Sequence, residues 1–403
     1  MSELLSKHNP WWKGERSYVL KQWEILKKRW IPKWLDEISI TPYSLNFVIG
    51  PRQVGKTTGL HLLIDRLISR GIEPTRIFYF NLDLAMDLEM FKRILDEYLE
   101  FRRAEGHETC FIFLDEVTSL RDWWKVIKGY VDLGLFEKDV LTLTGSSSLT
   151  LRGEVELFPG RRGFGRDILV SPLSFREFLE VHGIKVKLSG NLKRDLSRLL
   201  PISPEVKQMF KKYVKTGGFP LSVNEDPRSD EQYLMALEGE ILRLGRNPQL
   251  VRAIVSSIMR KAPSPLSYSS IAADVGVSYK TVQEYLDILK KLMVIETALF
   301  REGNKISWRK EKKYFPLDPF IARSLSLWTG TSYLEGAFYE WIVQAHLFRK
   351  FGEVYYYRNS YEVDCIAGPM RVEVKVGKPH RRYPKGVLIV DEDNLPAFLA
   401  SLV

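Results

Sequence analysis

Eight consecutive residues, Gly50-Pro51-Arg52-Gln53-Val54-Gly55-Lys56-Thr57, spell G-x-x-x-x-G-K-[ST] in full. No other feature constrains the fold as strongly, because this pattern has a physical meaning only between a strand and a helix. Both are legible. Leu45–Ile49 is a short apolar run that stops at Gly50, and His61–Ser69 repeats Leu62, Leu63, Leu67 and Ile68 at helical spacing. The glycines let the loop curl so that backbone N–H groups face phosphate oxygens, and the helix N-terminus adds its dipole. Gly50, Pro51, Arg52, Gln53, Val54, Gly55, Lys56, Thr57 and Thr58 are therefore expected to grip ATP. Lys56 would reach the β- and γ-phosphates, and Thr57 would ligate Mg²⁺.

Three more apolar runs end in polar groups. Ile77–Phe80 is followed by helical pattern. Phe111–Leu114 delivers Asp115 and Glu116, and Val140–Leu143 leads into Thr144-Gly145-Ser146. Strands alternating with helices, with polar residues at the strand ends, imply a parallel α/β sheet. Asp115 then belongs to the magnesium shell, and Glu116 stands where a carboxylate can polarise an attacking water. Ser146 is the candidate hydroxyl for orienting that water or sensing the γ-phosphate. Beyond it, Phe158-Pro159-Gly160-Arg161-Arg162-Gly163 sets arginines in a glycine-rich loop. Either Arg161 or Arg162 could act as an arginine finger on a neighbouring subunit's nucleotide, or contact a nucleic-acid backbone.

The 403 residues are enough for two or three domains. No run approaches the roughly 18 apolar residues of a membrane span, and residues 1–12 lack an export core. Cys110 and Cys365 are the two cysteines, each in a strand-like run. Neither a disulfide framework nor a cysteine zinc site is supported. A reducing, cytoplasmic setting without membrane contact is expected. The net charge of +10 favours an anionic partner, and DNA is the expected one.

The rest of the chain divides by pattern. Residues 1–40 read as a Trp-rich helical lead-in, with Trp23, Ile25, Leu26 and Trp30 at near-helical spacing. Residues 41–180 hold the P-loop core and 181–255 a helical lid. Residues 256–313 combine a winged helix with a basic linker. There, a helix, a turn at Gly276 and a second helix would turn Ser278, Tyr279, Lys280 and Gln283 toward a DNA groove. Arg301, Lys305, Arg309, Lys310, Lys312 and Lys313 follow in an exposed linker or hairpin; Arg309, Lys310 and Lys312 are the expected phosphate contacts. Residues 314–403 return to an α/β pattern, with a helix from Tyr333 to Phe351 and short strands at 354–357, 362–366, 371–376 and 387–390. Asp364 precedes Glu373-Val374-Lys375 by nine residues. This is similar to the PD-(D/E)-x-K nuclease arrangement, with Val363 where that family usually has proline. Asp364 and Glu373 would hold Mg²⁺, Glu340 would add a ligand, and Lys375 would orient water. Lys378, His380, Arg381, Arg382 and Lys385 form a basic cluster beside it.

A set of motifs occurs in order: Asn9-Pro10-Trp11-Trp12, the P-loop, Leu114-Asp115-Glu116-Val117, Trp123-Trp124-Lys125, Thr144-Gly145-Ser146-Ser147, Phe158-Pro159-Gly160-Arg161-Arg162-Gly163, and Pro172-Leu173-Ser174-Phe175-Arg176-Glu177. In these the chain resembles archaeal AAA-type (AAA+) ATPases with a C-terminal winged helix and a restriction-endonuclease-like domain. The resemblance implies a P-loop AAA+ core, ATP hydrolysis and a homo-oligomer. The expected function is ATP-driven remodelling or processing of DNA, with a metal-dependent nuclease. Two alternatives stay open: an ATP-switched DNA-binding protein without cleavage, and a signalling or defence ATPase acting on protein partners.

Overall fold

The computed structural model describes residues 3–145, 158–199, 202–359, 361–377 and 383–402. Ser146 and the basic residues Lys378, His380, Arg381 and Arg382 lie outside these. The chain divides into two compact units, Met1–Ser171 and Pro172–Val403.

The first unit is built on five strands: β1 (Ser44–Ile49), β2 (Ile77–Asn81), β3 (Phe111–Asp115), β4 (Val140–Gly145) and β5 (Asp167–Leu169). Every pairing is parallel, and the order is β2-β3-β4-β1-β5. Every residue of β1, β3 and β4 is buried, as expected where helices cover both faces of a parallel sheet. The apolar runs of the sequence thus reappear as strands, and their C-terminal ends, with the polar residues, align along one edge. Helices Lys56–Ser69, Leu88–Ala104 and Trp123–Asp132 connect them. The core beneath is aromatic: Phe47, Phe78, Phe80, Phe91, Tyr98, Trp123 and Phe158 are all sealed from solvent.

Strand β2 lies at the sheet edge, and the N-terminal segment closes that edge. The buried Asn9 side chain imitates a neighbouring strand: its amide donates to the Tyr79 carbonyl at 3.1 Å, and its oxygen accepts from the Tyr79 N–H at 2.7 Å. Trp11 and Trp12 both donate their indole N–H to the Ile77 carbonyl, at 3.0 and 2.9 Å. An edge whose polar groups are paired in this way offers no template to another strand. The helical lead-in is shorter than its spacing suggests. The helix Tyr18–Glu24 stops before Ile25, which is exposed, so Ile25, Leu26 and Trp30 share no helical face with Trp23. Lys27, Lys28 and Arg29 repel one another, and Pro32 biases Ile31 toward extended backbone.

In the second unit, helices Tyr268–Val275 and Tyr279–Lys291 are joined through Gly276, whose φ of 74° is the left-handed conformation a tight helix end requires. The linker of the sequence reading is a hairpin, β6 (Ile295–Glu302) with β7 (Lys305–Ser307), followed by β8 (Lys313–Pro316). Strand β6 also pairs in parallel with β9 (Tyr355–Arg358). Together with β10 (Glu362–Ala367), β11 (Met370–Val374) and β12 (Leu388–Val390), these strands form one mixed sheet ordered β12-β11-β10-β9-β6-β7, with β8 on β6. The hairpin that follows the two helices therefore continues into the C-terminal strands.

Asp318 makes a clasp in this unit. Its buried carboxylate accepts from the Gly218 amide at 3.1 Å and the Phe320 amide at 2.8 Å. Burial pushes this carboxyl up to about 7; the amides and the charges of Arg349 and Arg323 counter it only in part. Unfolded, the same carboxyl titrates near ~3.9. Between these values the folded chain holds a proton that the unfolded chain has lost. The stability it contributes is complete at low pH and is lost as pH rises through about 7, at up to ~1.4 kcal/mol per pH unit. Urea denaturation at pH 5.5 and pH 8 should show wild type losing more stability than Asp318→Asn on going to the higher pH. Equal losses would mean that Asp318 does not titrate in this range.

Candidate functional site

The P-loop leaves β1 at Ile49 and enters the helix that begins at Lys56. Two of its residues take left-handed backbone, Gln53 at φ 62° and Gly55 at φ 96°. Gly50 must remain glycine for a separate reason: a Cβ there would stand 2.6 Å from the Val170 carbonyl oxygen. The Lys56 ammonium is buried and donates to the carbonyls of Gly50 and Pro51, at 3.0 and 2.9 Å, so it is held over the loop it serves.

Asp115 closes the site from β3, and three hydroxyls converge on it. Thr57 Oγ1 donates to Oδ2 at 2.7 Å, Tyr79 Oη donates to the same oxygen at 2.9 Å, and Thr144 Oγ1 donates to Oδ1. Burial, then the neighbouring Glu116 charge, raise the Asp115 carboxyl above its usual range, while the three hydroxyls pull it back. Burial and the Asp115 charge hold the Tyr79 phenol well above its ordinary value, so it stays a donor. The ring of His61 packs over Tyr79 with centroids 4.6 Å apart; burial lowers its pKa to about 4, and it is neutral.

Glu116 has left-handed backbone, φ 51°, a conformation that costs a non-glycine residue ~1 kcal/mol or more. Its N–H donates to Thr144 Oγ1 at 3.0 Å. Among the described residues its Oε2 is shielded from solvent and accepts no hydrogen bond. A shielded carboxylate oxygen without a donor suits a group that takes a proton from water. The set also fits magnesium, since Thr57 and Asp115 offer the hard oxygen ligands that Mg²⁺ prefers, side by side.

Lys56, Thr57, Asp115 and Glu116 are thus brought together as the sequence implies. Tyr79 and Thr144 escaped sequence reasoning as members of the site. For Tyr79 the signal was a phenol in an otherwise dry strand, which must find a polar partner. For Thr144 it was a hydroxyl at the last turn of the strand next to the P-loop strand. The two arginines are engaged within the chain: Arg161 pairs with Asp132 and donates to the Pro159 carbonyl, and Arg162 pairs with Asp167 and lies over the Phe47 ring.

In the second unit, Ser278 caps the helix Tyr279–Lys291, and Tyr279, Lys280 and Gln283 are exposed along its first turns. Arg309 and Lys310 are exposed as well, Lys310 with its ammonium 3.5 Å from the centre of the Phe300 ring. Lys312 is half-buried. It lies over the Tyr268 ring and donates to the Trp308 carbonyl at 3.2 Å, and burial lowers its pKa.

Asp364, Glu373, Glu340 and Lys375 share one buried cluster. The Asp364 N–H donates to Glu373 Oε2 at 3.3 Å, and Lys375 Nζ donates to Glu373 Oε1 at 2.5 Å. Lys313, from the end of the basic run, enters the same cluster, with Nζ at 2.9 Å from Glu340, 3.0 Å from Asp364 and 3.2 Å from Glu362. Among the described residues no group of three or more His, Cys, Asp or Glu side chains is disposed to hold a metal ion. No helix among them is long and apolar enough to cross a membrane.

Comparison with known proteins agrees with the first unit's geometry. Residues 207–332 match a domain of unknown function, DUF8612. A protein of Methanocaldococcus jannaschii, named uncharacterized protein MJ1544, is 28% identical over 205 residues, which are 50% of this chain and 41% of the relative. The chain thus spans under half the length of that curated relative. Two solved structures align more loosely. One is the replication initiator DnaA bound to AMPPCP and single-stranded DNA, at 19% identity and a TM-score of 0.27, covering 64% of this chain and 85% of that one. The other is Cdc6p of Pyrobaculum aerophilum, at 15% identity and a TM-score of 0.27, covering 78% and 95%. Residues 43–179, the segment that holds the five-stranded parallel sheet and the site on its edge, match the family described as an AAA domain.

Proposed function

We propose that the chain is an AAA ATPase that hydrolyses ATP and couples turnover to DNA bound by its helix–turn–helix and hairpin. The observation that carries the hydrolytic part is the convergence at the sheet edge. There a P-loop lysine and Thr57 after β1 meet Asp115 and Glu116 at the end of β3, with Thr144 of β4 between them, and the shielded Glu116 oxygen has no donor among the described residues. Lys56 would leave the Gly50 and Pro51 carbonyls for the β- and γ-phosphates. Thr57 and Asp115 would hold magnesium, which when bound supplies positive charge to the phosphate oxygens. Glu116 would accept the proton of the attacking water, and Thr144, bonded to both Asp115 and the Glu116 amide, would keep the two carboxylates in register. In an assembly of several copies, Arg161 or Arg162 would serve a neighbour's nucleotide after exchanging its Asp132 or Asp167 partner.

The DNA-binding part rests on Tyr279, Lys280 and Gln283 on a helix, Lys305 on the hairpin and Arg309 and Lys310 just after it, all solvent-facing, and the element order of two helices and a hairpin supports a winged-helix reading. Duplex DNA should raise the ATP turnover of the full chain. Replacing Lys280, Lys305, Arg309 and Lys310 by alanine together should reduce the slope of log K against log[salt] by ~3 to 4 units, if each contacts a phosphate. A second reading has support of its own: Glu284 and Asp287 also lie exposed on the helix Tyr279–Lys291. Acidic groups on that face suit a protein partner better than a phosphate backbone. Turnover indifferent to DNA, with an unchanged salt slope, would favour that reading.

A further inference from the structure

A lysine rarely lies buried among carboxylates without a reason, and Lys313 is 3% exposed. Its place is fixed from several sides. Lys313 pairs with Ala298 of β6, and the preceding Lys312 exchanges backbone hydrogen bonds with Leu266, at 2.8 and 3.0 Å. The ammonium has three protons, and three carboxylates surround it: Glu340 from the helix Glu335–Phe351, and Glu362 and Asp364, two residues apart on one face of β10. Two of the protons are hydrogen-bonded, to Glu340 and Asp364, and Glu362 pairs with the ammonium at 3.2 Å. The carboxylates are satisfied elsewhere as well. Glu340 accepts from Gln344 at 2.8 Å, and Asp364 Oδ2 accepts from the Val374 amide at 3.0 Å. Glu373 accepts from Lys375 and, at 3.1 Å, from Tyr383.

We propose that the Lys313 ammonium is the resident cation of this carboxylate cluster, standing where a metal-dependent phosphodiesterase of this strand arrangement would hold a divalent ion. The cluster then acts as a clasp that fastens β8 to the C-terminal strands. Residues present and metal do not fit together. An octahedral magnesium ion needs several oxygens at about 2.0–2.1 Å from one centre, and a positive ammonium already lies among those oxygens. Burial alone would drive the Lys313 proton off, but the charges of Glu340, Asp364 and Glu362 outweigh burial and hold its pKa well above the ordinary value. The clasp joins two parts of the chain. Lys313 lies within residues 207–332, which match one domain family, whereas Glu340, Glu362 and Asp364 lie beyond that match.

Manganese tests the proposal, with the nucleotide-free full chain and bound ion counted by electron paramagnetic resonance. Lys313→Met should bind one more Mn²⁺ per chain than wild type, and Lys313→Met combined with Asp364→Asn should lose it. In chelator, Lys313→Met should melt below wild type, and Mn²⁺ should restore part of the loss. A folded Lys313→Met that binds no additional Mn²⁺ would overturn the proposal. A second measurement needs no variant. Iron(II) with ascorbate and peroxide cuts backbone beside a bound metal, and with ADP present the cuts near Thr57 and Asp115 report that the reagent works. Wild type should then show no cuts over residues 362–375. Cuts there would mean that a metal enters the native cluster and that Lys313 is not its resident cation. ATP hydrolysis is read separately in both experiments, because the P-loop lies in the other compact unit.

Discussion

Replacing Glu116 by glutamine should lower ATP turnover by ~10²- to 10⁴-fold and leave ATP affinity nearly unchanged. The expectation follows from what each oxygen of the site already does. Asp115 has both oxygens occupied by the hydroxyls of Thr57, Tyr79 and Thr144, so it is a positioned ligand with little freedom to act as a base. Glu116 has an oxygen that accepts from no described group. Glutamine keeps the size of the side chain and the backbone conformation around it, but it cannot take a proton. Binding should survive because the P-loop and Lys56, not Glu116, would face the phosphates in the proposed mechanism. Equilibrium binding of a fluorescent ATP analogue, set beside steady-state phosphate release, separates the two effects. Equal turnover in Glu116→Gln and wild type would remove Glu116 from the mechanism.

Lys56→Ala should act one step earlier, at binding. Removing the partner of a buried charge pair typically costs about 2–5 kcal/mol, which corresponds to a loss of ~30- to 4,000-fold in affinity for ATP. The residue is buried and its ammonium donates to the loop's own carbonyls, those of Gly50 and Pro51. Those carbonyls would be left without their donor, and no other lysine lies within the loop to replace it. Isothermal calorimetry with ATP and with ADP tests this. A larger loss for ATP than for ADP is expected, since the γ-phosphate is present only in ATP. A Lys56→Ala protein that binds both as well as wild type would show that the nucleotide does not occupy this loop.

The nucleotide site was legible because its chemistry is local. Eight contiguous residues define the loop, and Asp115-Glu116 announces itself at the end of a dry strand. What joins the site from a distance was not legible. Tyr79 reaches Asp115 across 36 residues of sequence, and Asn9 holds the Tyr79 backbone from 70 residues away. Asn9-Pro10-Trp11-Trp12 could be quoted as a motif without any indication that it seals the edge of β2. The C-terminal cluster shows the same limit with a larger consequence. Asp364, Glu373 and Lys375 were visible as a spacing, and the structure brings them together. Lys313, 51 residues before Asp364, read as one more member of a basic surface run. Lys313 lies in β8, which is buried along its whole length, while Arg309 and Lys310 lie in the exposed bend before it, and no count of charges along the chain distinguishes them.

Phosphate release from Mg·ATP by the purified full chain is the most direct test of the central claim, that the sheet edge of residues 43–179 binds and hydrolyses ATP. Wild type and Glu116→Gln should be measured under identical conditions, with and without duplex DNA. The account predicts sustained turnover in wild type, further raised by DNA, and a fall of at least ~10²-fold in Glu116→Gln with ATP still bound. Wild type that binds ATP and releases no phosphate in either condition, or a Glu116→Gln protein that turns over as fast as wild type, would contradict it.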